Sequence, residues 1–239
     1  MTTTAILLAG GSGTRLGTGD NKAYLPLGGH PLLVWSLVAF ERCPRIDDIV
    51  LVTRAEDRER AFAAAAAADV TKLRAVVEGG PTRHASEQAG LDAIADAIAD
   101  GAVTLVAIHD AARPFVSTEL LDRLLDAADR HGGSAPALAV GAPFLVRTDD
   151  TELAAVATED LRRMQTPQAF RAPGLLAAYR AATAAGFHGV DTVETVAHHG
   201  ELTVVAVEGD ARNRKVTFVD DLRAAELMAR HWSEGPGVR

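Results

Sequence analysis

A strand-length run, Thr4-Ala5-Ile6-Leu7-Leu8-Ala9, apolar throughout from Ala5, passes directly into Gly10-Gly11-Ser12-Gly13. A run that is apolar at every position, rather than at alternate ones, predicts a strand covered on both faces. Glycines immediately after such a strand let the backbone turn sharply and bring N–H groups close to an anion. Largely apolar runs return at 49–52, 73–77, 103–108, 135–140 and 202–207, interrupted at Arg74, Thr104 and Thr203. Helical stripes lie between these runs. Leu91, Ile94, Ala95 and Ile98 fall on one helical face, as do Leu120, Leu121, Leu124, Leu125 and Ala128. Further helices are expected at 173–185 and 220–231, and the alanine run 61–68 reads as a surface helix chosen by propensity. Strand–helix alternation predicts an α/β fold built on a mostly parallel, right-handed, doubly wound sheet.

No repeat or linker divides the 239 residues, so residues 1–239 are expected to form one domain. The alternation fails at 143–158. Phe144-Leu145-Val146 and Leu153-Ala154-Ala155-Val156 flank a polar turn at 147–152, which is a hairpin signal. An isolated hairpin is marginal by itself. The expectation is an arm over 141–160 that packs on a second subunit, giving a homodimer.

Lys plus Arg total 24 and Asp plus Glu 32, a net charge of −8. That argues against a nucleic-acid partner, which calls for a basic face, but leaves room for a local basic pocket. The single cysteine, Cys43, excludes a disulfide framework and a multi-thiolate metal site. The apolar run 5–9 is too short for a signal peptide or a membrane span. A cytoplasmic protein with no membrane partner is expected.

Five segments carry chemistry. The first is the glycine turn with Arg15 and Lys22, two cations that could neutralise a polyphosphate. It is not a Walker A loop, and Leu16 spoils a dinucleotide-binding G-x-G-x-x-G. The second is Ile108-His109-Asp110-Ala111-Ala112-Arg113-Pro114, at the carboxyl end of a predicted strand, where open α/β sheets bind ligands. Asp110 could help hold Mg²⁺ with phosphate oxygens, and Arg113 could grip a phosphate. The third is Glu78-Gly79-Gly80-Pro81-Thr82-Arg83-His84-Ala85-Ser86, whose glycines permit close approach to a flat base and whose Ser86 can hydrogen-bond base or ribose. The fourth and fifth are Gln165-Thr166-Pro167-Gln168-Ala169-Phe170 and Asn213-Arg214-Lys215-Val216-Thr217. Taken singly, Asp110 reads equally as a helix N-cap, Arg113 as a surface ion pair, and Lys215 as an ordinary surface lysine.

Taken together, in this order and spacing, LLAGGSGTRLG, Lys22, GG-x-x-R-x-x-S, HDAARP, QTPQ-x-F and KVT resemble the 2-C-methyl-D-erythritol 4-phosphate cytidylyltransferase family. The resemblance spans essentially the whole chain. It implies a Rossmann-like nucleotidyltransferase fold with a protruding β-arm that makes a homodimer. It implies a CTP-dependent enzyme that joins CMP to a polyol phosphate, releases pyrophosphate and serves non-mevalonate isoprenoid biosynthesis. By the same resemblance Ala9, Gly10, Gly11, Ser12, Gly13, Gly79, Gly80 and Ser86 bind the nucleotide, and Arg15, Lys22 and Lys215 are catalytic. Asp110, Arg113 and Thr166 contact the acceptor, and Asp110 is the metal contact for Mg²⁺.

The acceptor half departs from the family pattern. Gly141-Ala142 stands where the family has Asp-Thr, Thr158 where it has the arm arginine, and Val190-Asp191 where it has Thr-Asp. Arg162 and Arg163 lie near the missing arginine. Two alternatives therefore stay open: a cytidylyltransferase for ribitol 5-phosphate or a phosphonate, and a non-catalytic nucleotide-binding homologue. A nicotinamide-dependent dehydrogenase is disfavoured, because Val52-Thr53-Arg54 puts no acidic residue at the end of the second strand.

Overall fold

The computed structural model describes residues 2–11, 21–141, 144–147, 153–156 and 161–237. Strand β1 (Thr2–Leu8) is followed by a short antiparallel pair, β2 (Pro26–Leu27) and β3 (His30–Pro31). Next come α1 (Leu32–Arg42), β4 (Asp48–Thr53), α2 (Arg58–Ala67) and β5 (Leu73–Glu78). Helices α3 (Arg83–Asp92) and α4 (Ala95–Ala99) precede β6 (Val103–Asp110), then α5 (Thr118–His131) and β7 (Gly132–Ala139). The hairpin β8 (Phe144–Arg147) and β9 (Leu153–Val156) leads to β10 (Arg162–Met164) and β11 (Gln168–Arg171). Helices α6 (Ala172–Ala184) and α7 (Thr192–His199), strand β12 (Thr203–Glu208) and α8 (Val219–Ala229) complete the described chain.

The central sheet has eight strands. Strands β5, β4, β1 and β6 run parallel, in that spatial order. Strand β11 lies antiparallel between β6 and β7, and β12 pairs parallel with the far edge of β7. Both β10 and β11 use one edge of β7: Ala137 pairs with Met164 on that side and Glu208 on the other. The parallel nucleus thus carries an antiparallel insertion that the apolar runs alone did not announce. Alternate residues of each strand enter opposite cores. Ala5, Leu7, Ile49, Leu51 and Ala107 pack with α1 and α5, while Ile6, Val50, Val106 and Ile108 pack with α3 and α6. This is the burial on two faces that continuous apolar strands require.

Two local expectations change. The stripe at 91–98 is divided between α3 and α4, with Ala93 and Ile94 outside both helices. The alanine run is not wholly surface, since Ala61 and Ala65 are buried against the core. Helix α1 had no readable stripe because all of its residues from Leu32 to Phe40 are buried. The hairpin expected at 144–156 is present as a separate two-stranded sheet, with Phe144 opposite Val156 and Arg147 opposite Leu153.

Candidate active site

The site is assembled where parallel strands end. Leu8 and Asp110 are neighbours in the β1–β6 register, and Ala111 N–H donates to Leu8 O at 3.0 Å. Ala9 N–H donates to Val52 O at 2.7 Å, and Gly79 N–H to Thr53 O at 2.8 Å. The loops after β1, β5 and β6 therefore converge, as the carboxyl ends of an open α/β sheet must. They bound a cavity of about 490 Å³ lined by Gly10, Gly11, Lys22, Gly80, Arg83, Ser86, Asp110 and Lys215, among others.

Two glycines are required for the loop after β5 to fold against α3. A Cβ on Gly80 would stand 2.4 Å from Ala85 Cβ, and one on Gly79 would stand 2.8 Å from Ser86 Oγ. Thr82 caps α3, its Oγ1 accepting from Ala85 N–H at 3.0 Å. Ser86 Oγ closes the loop by donating to Thr82 O at 2.9 Å.

Lys22 is delivered by a buried asparagine. Asn21 Nδ2 donates to Ala9 O at 2.7 Å and to Asp57 Oδ2 at 2.8 Å. This pins the 3-10 turn Lys22–Tyr24 beside the glycine turn. Lys22 Nζ donates to Val216 O at 3.1 Å, so the cation reaches the segment that carries Lys215.

Asp110 is the one carboxylate among the described residues lining this cavity. Its Oδ1 accepts from Arg83 Nη1 and its Oδ2 from Lys215 Nζ at 2.7 Å. Burial by itself would raise its pKa. The Arg83 and Lys215 charges override burial and hold the carboxyl well below the usual carboxylate range. Lys215 is held in reach by a second network. Gln165 Nε2 donates to Asp210 O at 2.8 Å and Asn213 O at 3.0 Å, and Asn213 Nδ2 donates to Thr166 O at 2.8 Å.

His109 and Thr166 work beneath the site. Thr166 Oγ1 accepts from Asp110 N–H at 3.0 Å. His109 Nε2 lies 3.1 Å from Arg113 O, which can only accept, so Nε2 carries the proton. That leaves Nδ1 to accept from the Thr166 hydroxyl at 3.1 Å. Burial pushes the imidazole pKa down to about 3, so the ring is neutral.

A second cleft of about 560 Å³ adjoins the first and shares Lys215 with it. Arg113, Arg163 and Arg214 line it, and Asp221 is its one carboxylate. Arg113 Nη1 donates to Asn213 O at 3.0 Å, and burial depresses the guanidinium's pKa.

Of the expected site residues, Gly10, Gly11, Lys22, Gly80, Ser86, Asp110 and Lys215 line the first cavity, and Arg113 and Lys215 the second. Three are placed otherwise. Ala9 is buried with its N–H and C=O both engaged by the fold, Gly79 donates its N–H to β4, and the Thr166 hydroxyl is occupied by Asp110 and His109. Ser12, Gly13, Arg15, Ala142 and Thr158 lie outside the described residues. Arg83, Gln165 and Asn213 were not foreseen as site residues. Arg83 did occupy the fixed arginine of GG-x-x-R-x-x-S, which was its one sequence signal.

A family model described as 2-C-methyl-D-erythritol 4-phosphate cytidylyltransferase matches residues 3–231. The chain belongs to this cytidylyltransferase family. It is accordingly a nucleotidyltransferase. A 2-C-methyl-D-erythritol 4-phosphate cytidylyltransferase of Geobacillus kaustophilus is 38% identical over 231 residues, covering 94% of this chain and 95% of that one. One of Cereibacter sphaeroides is 41% identical over 231 residues, covering 95% and 97%. Against a bifunctional relative of Rhodopseudomonas palustris, 39% identical, the chain spans 54% of the longer protein. Among solved structures, a 4-diphosphocytidyl-2C-methyl-D-erythritol synthase from Anaerococcus prevotii superposes with a TM-score of 0.83 at 27% identity, covering 96% of both chains. A cytidylyltransferase of the family from Thermus thermophilus gives 0.76 at 30% identity, covering 94% of this chain and 98% of that one.

Among the described residues, the cytidylyltransferase site offers no dedicated metal cage. No group of three His, Cys, Asp or Glu among the described residues could hold an ion. Both Asp110 oxygens already carry cations. Among the described residues that line the cavity, Asp110 is the one carboxylate that could meet a Mg²⁺ brought in on substrate phosphates.

Proposed function

We propose that the chain transfers the cytidylyl group of CTP to 2-C-methyl-D-erythritol 4-phosphate, a step of non-mevalonate isoprenoid biosynthesis, and releases pyrophosphate. The observation that carries this reading is a pair of clefts that share Lys215, itself paired with Asp110 of the first cleft. One cleft suits a nucleoside triphosphate, with glycine backbone and Lys22 along its wall. The other, ringed by Arg113, Arg163 and Arg214, suits a phosphomonoester dianion.

An oxygen of the acceptor phosphate attacks the α-phosphorus of CTP in line. The new O–P bond forms as the bond to the β-phosphate oxygen breaks, and the electron pair leaves with pyrophosphate. The acceptor phosphate is already ionised at neutral pH, so no general base is needed. The protein's contribution is positioning and charge neutralisation. Lys215 stands between the two substrates, and Lys22, with Arg15, serves the triphosphate. Ser12 and Gly13 are assigned to the nucleotide together with Gly10, Gly11, Gly80 and Ser86, which line the first cleft. Mg²⁺ supplies further neutralisation of the phosphates when it is bound.

The hairpin β8–β9 is the arm of a homodimer in this reading, and the enzyme works in the cytoplasm. No described helix is long and apolar enough to cross a membrane. Sedimentation should give about twice the 25.1 kDa chain mass; a monomer at micromolar concentration removes the dimer.

The test is pyrophosphate release with CTP, Mg²⁺ and a panel containing 2-C-methyl-D-erythritol 4-phosphate and ribitol 5-phosphate. Turnover with the erythritol phosphate is expected. Turnover with ribitol phosphate alone would replace the acceptor. CTP binding with no release on any acceptor would replace catalysis by nucleotide sensing.

A further inference from the structure

Behind the first cavity, a carboxylate with no exposed surface is surrounded by donors. Glu87 lies one turn after Arg83 on α3 and is 0% exposed. Thr192 Oγ1, at the start of α7, donates to its Oε1 at 2.8 Å, and the Tyr179 hydroxyl, on α6, donates to its Oε2. Arg83 Nε lies 2.9 Å from Oε1 and is the one cation paired with Glu87 among the described residues. The other end of the same guanidinium holds Asp110, and Asp110 holds Lys215. Charges therefore alternate along Glu87, Arg83, Asp110 and Lys215, from the back of the sheet to the junction of the clefts.

A buried carboxylate is a poor way to gain stability. Its desolvation offsets most of what an ion pair returns, and an apolar residue of similar volume serves packing as well. What a second carboxylate does give Arg83 is a second anchor. Arg83 Nε makes no hydrogen bond, so Glu87 holds this end by charge; a guanidinium paired at one end can swing, and a carboxylate at each end restricts it. We propose that Glu87, which touches neither cleft, is a positioning residue for cytidylyl transfer, acting through Arg83 on the Asp110–Lys215 pair. Because this rests on the cytidylyltransferase reading above, turnover by the parent protein is measured first.

The experiment is a double-mutant cycle between Glu87→Gln and Arg83→Met, read as kcat and as KM for CTP. E87Q should lower kcat about fivefold or more while KM for CTP stays within about twofold, because Gly10, Gly11 and Gly80 are untouched. The double variant should turn over within about twofold of R83M alone, since both changes break one chain of contacts. Tyr179→Phe removes a donor to Glu87 but leaves the Arg83 pair, so its kcat should stay within about twofold of the parent even if its melting temperature falls. A smaller loss in E87Q, losses that multiply in the double variant, or an equal loss in Y179F would each overturn the proposal. Should E87Q not fold, Glu87→Asp, which keeps the charge but draws it back from Arg83, takes its place in the cycle, with the same non-additivity expected and additivity overturning it. An inactive parent would sink the cytidylyltransferase reading and this inference with it; an active parent with an unaffected E87Q sinks the inference alone.

Discussion

Lys215 Nζ meets Asp110 Oδ2 at 2.7 Å across 105 residues of chain. Asp110 ends β6, while Lys215 sits on a loop held down by Gln165 and Asn213. Lys215 borders both clefts, while Asp110 lines the first and holds the lysine there.

Removing either lysine should cost rate far more than stability. Lys215 is 38% exposed, so truncating it leaves no cavity in a core. Lys215→Ala and Lys22→Ala should each lower kcat about 10²-fold or more, the scale for losing one preorganised charge-stabilising group. Steady-state kinetics beside thermal melts checks this; turnover within about threefold of the parent would remove the residue from the mechanism.

The two clefts should separate kinetically. Arg163 lines the second cleft only. Arg163→Ala should raise KM for the acceptor about tenfold and leave KM for CTP within about twofold, as loss of a charge-assisted phosphate contact predicts. Equal changes in both constants would show that the clefts do not divide the substrates.

Acid should destabilise the protein through His109 before its carboxylates respond. The ring's pKa is about 3 in the folded chain against 6.5 as a free side chain. Burial depresses it, and the neighbouring Asp110 and Arg113 only modify that. Below pH 6.5 the unfolded chain takes up a proton that the folded chain refuses, so stability falls as pH drops from 6.5 toward 3. Asp110 has the same sign, but its contribution is complete above its ordinary value of 3.8. His84, also depressed by burial and by His188 and His199, adds to the slope. The melting temperature should therefore decline between pH 6.5 and 4 in the parent and less steeply in His109→Gln. An unchanged slope in that variant would assign the effect elsewhere.

Helix α3 presses on the sheet at a glycine. A Cβ on Gly90 would stand 2.5 Å from Ile6 Cγ2 and 3.1 Å from Val52 Cγ2. Gly90→Ala should destabilise by about 1–3 kcal/mol through overpacking, which lowers the melting temperature by about 2–4 °C per kcal/mol in a chain of this size. A melt equal to or above the parent's would mean that the helix can step away from the sheet at no cost.

Periodicity made the parallel strands legible, because a strand buried on both faces must be apolar at each position, as Ile6 and Leu7 are in opposite cores. Motif spacing placed Gly10, Gly11, Lys22, Asp110 and Lys215 in the sequence, and they do line one cavity. It could not show that Thr166 and Ala9 spend their polar groups on the fold, since hydrogen-bond partners 56 and 12 residues away have no sequence signature. Helix α1 was hidden for a related reason: complete burial erases the stripe by which a helix is read. The short strands β10 and β11 exist because β6 and β7 offer them edges, not because of a pattern of their own. What the sequence by itself determined is the sheet's parallel nucleus, the hairpin and the family of the chain. What only the tertiary structure decided is which charges meet. Glu87 carries no sequence signal, and the motif arginine Arg83 none for its partners, until Asp110, Tyr179 and Thr192 arrive from three other elements. An electrostatic relay of that kind is a property of distances, and distances between remote residues are set by packing rather than by spacing along the chain.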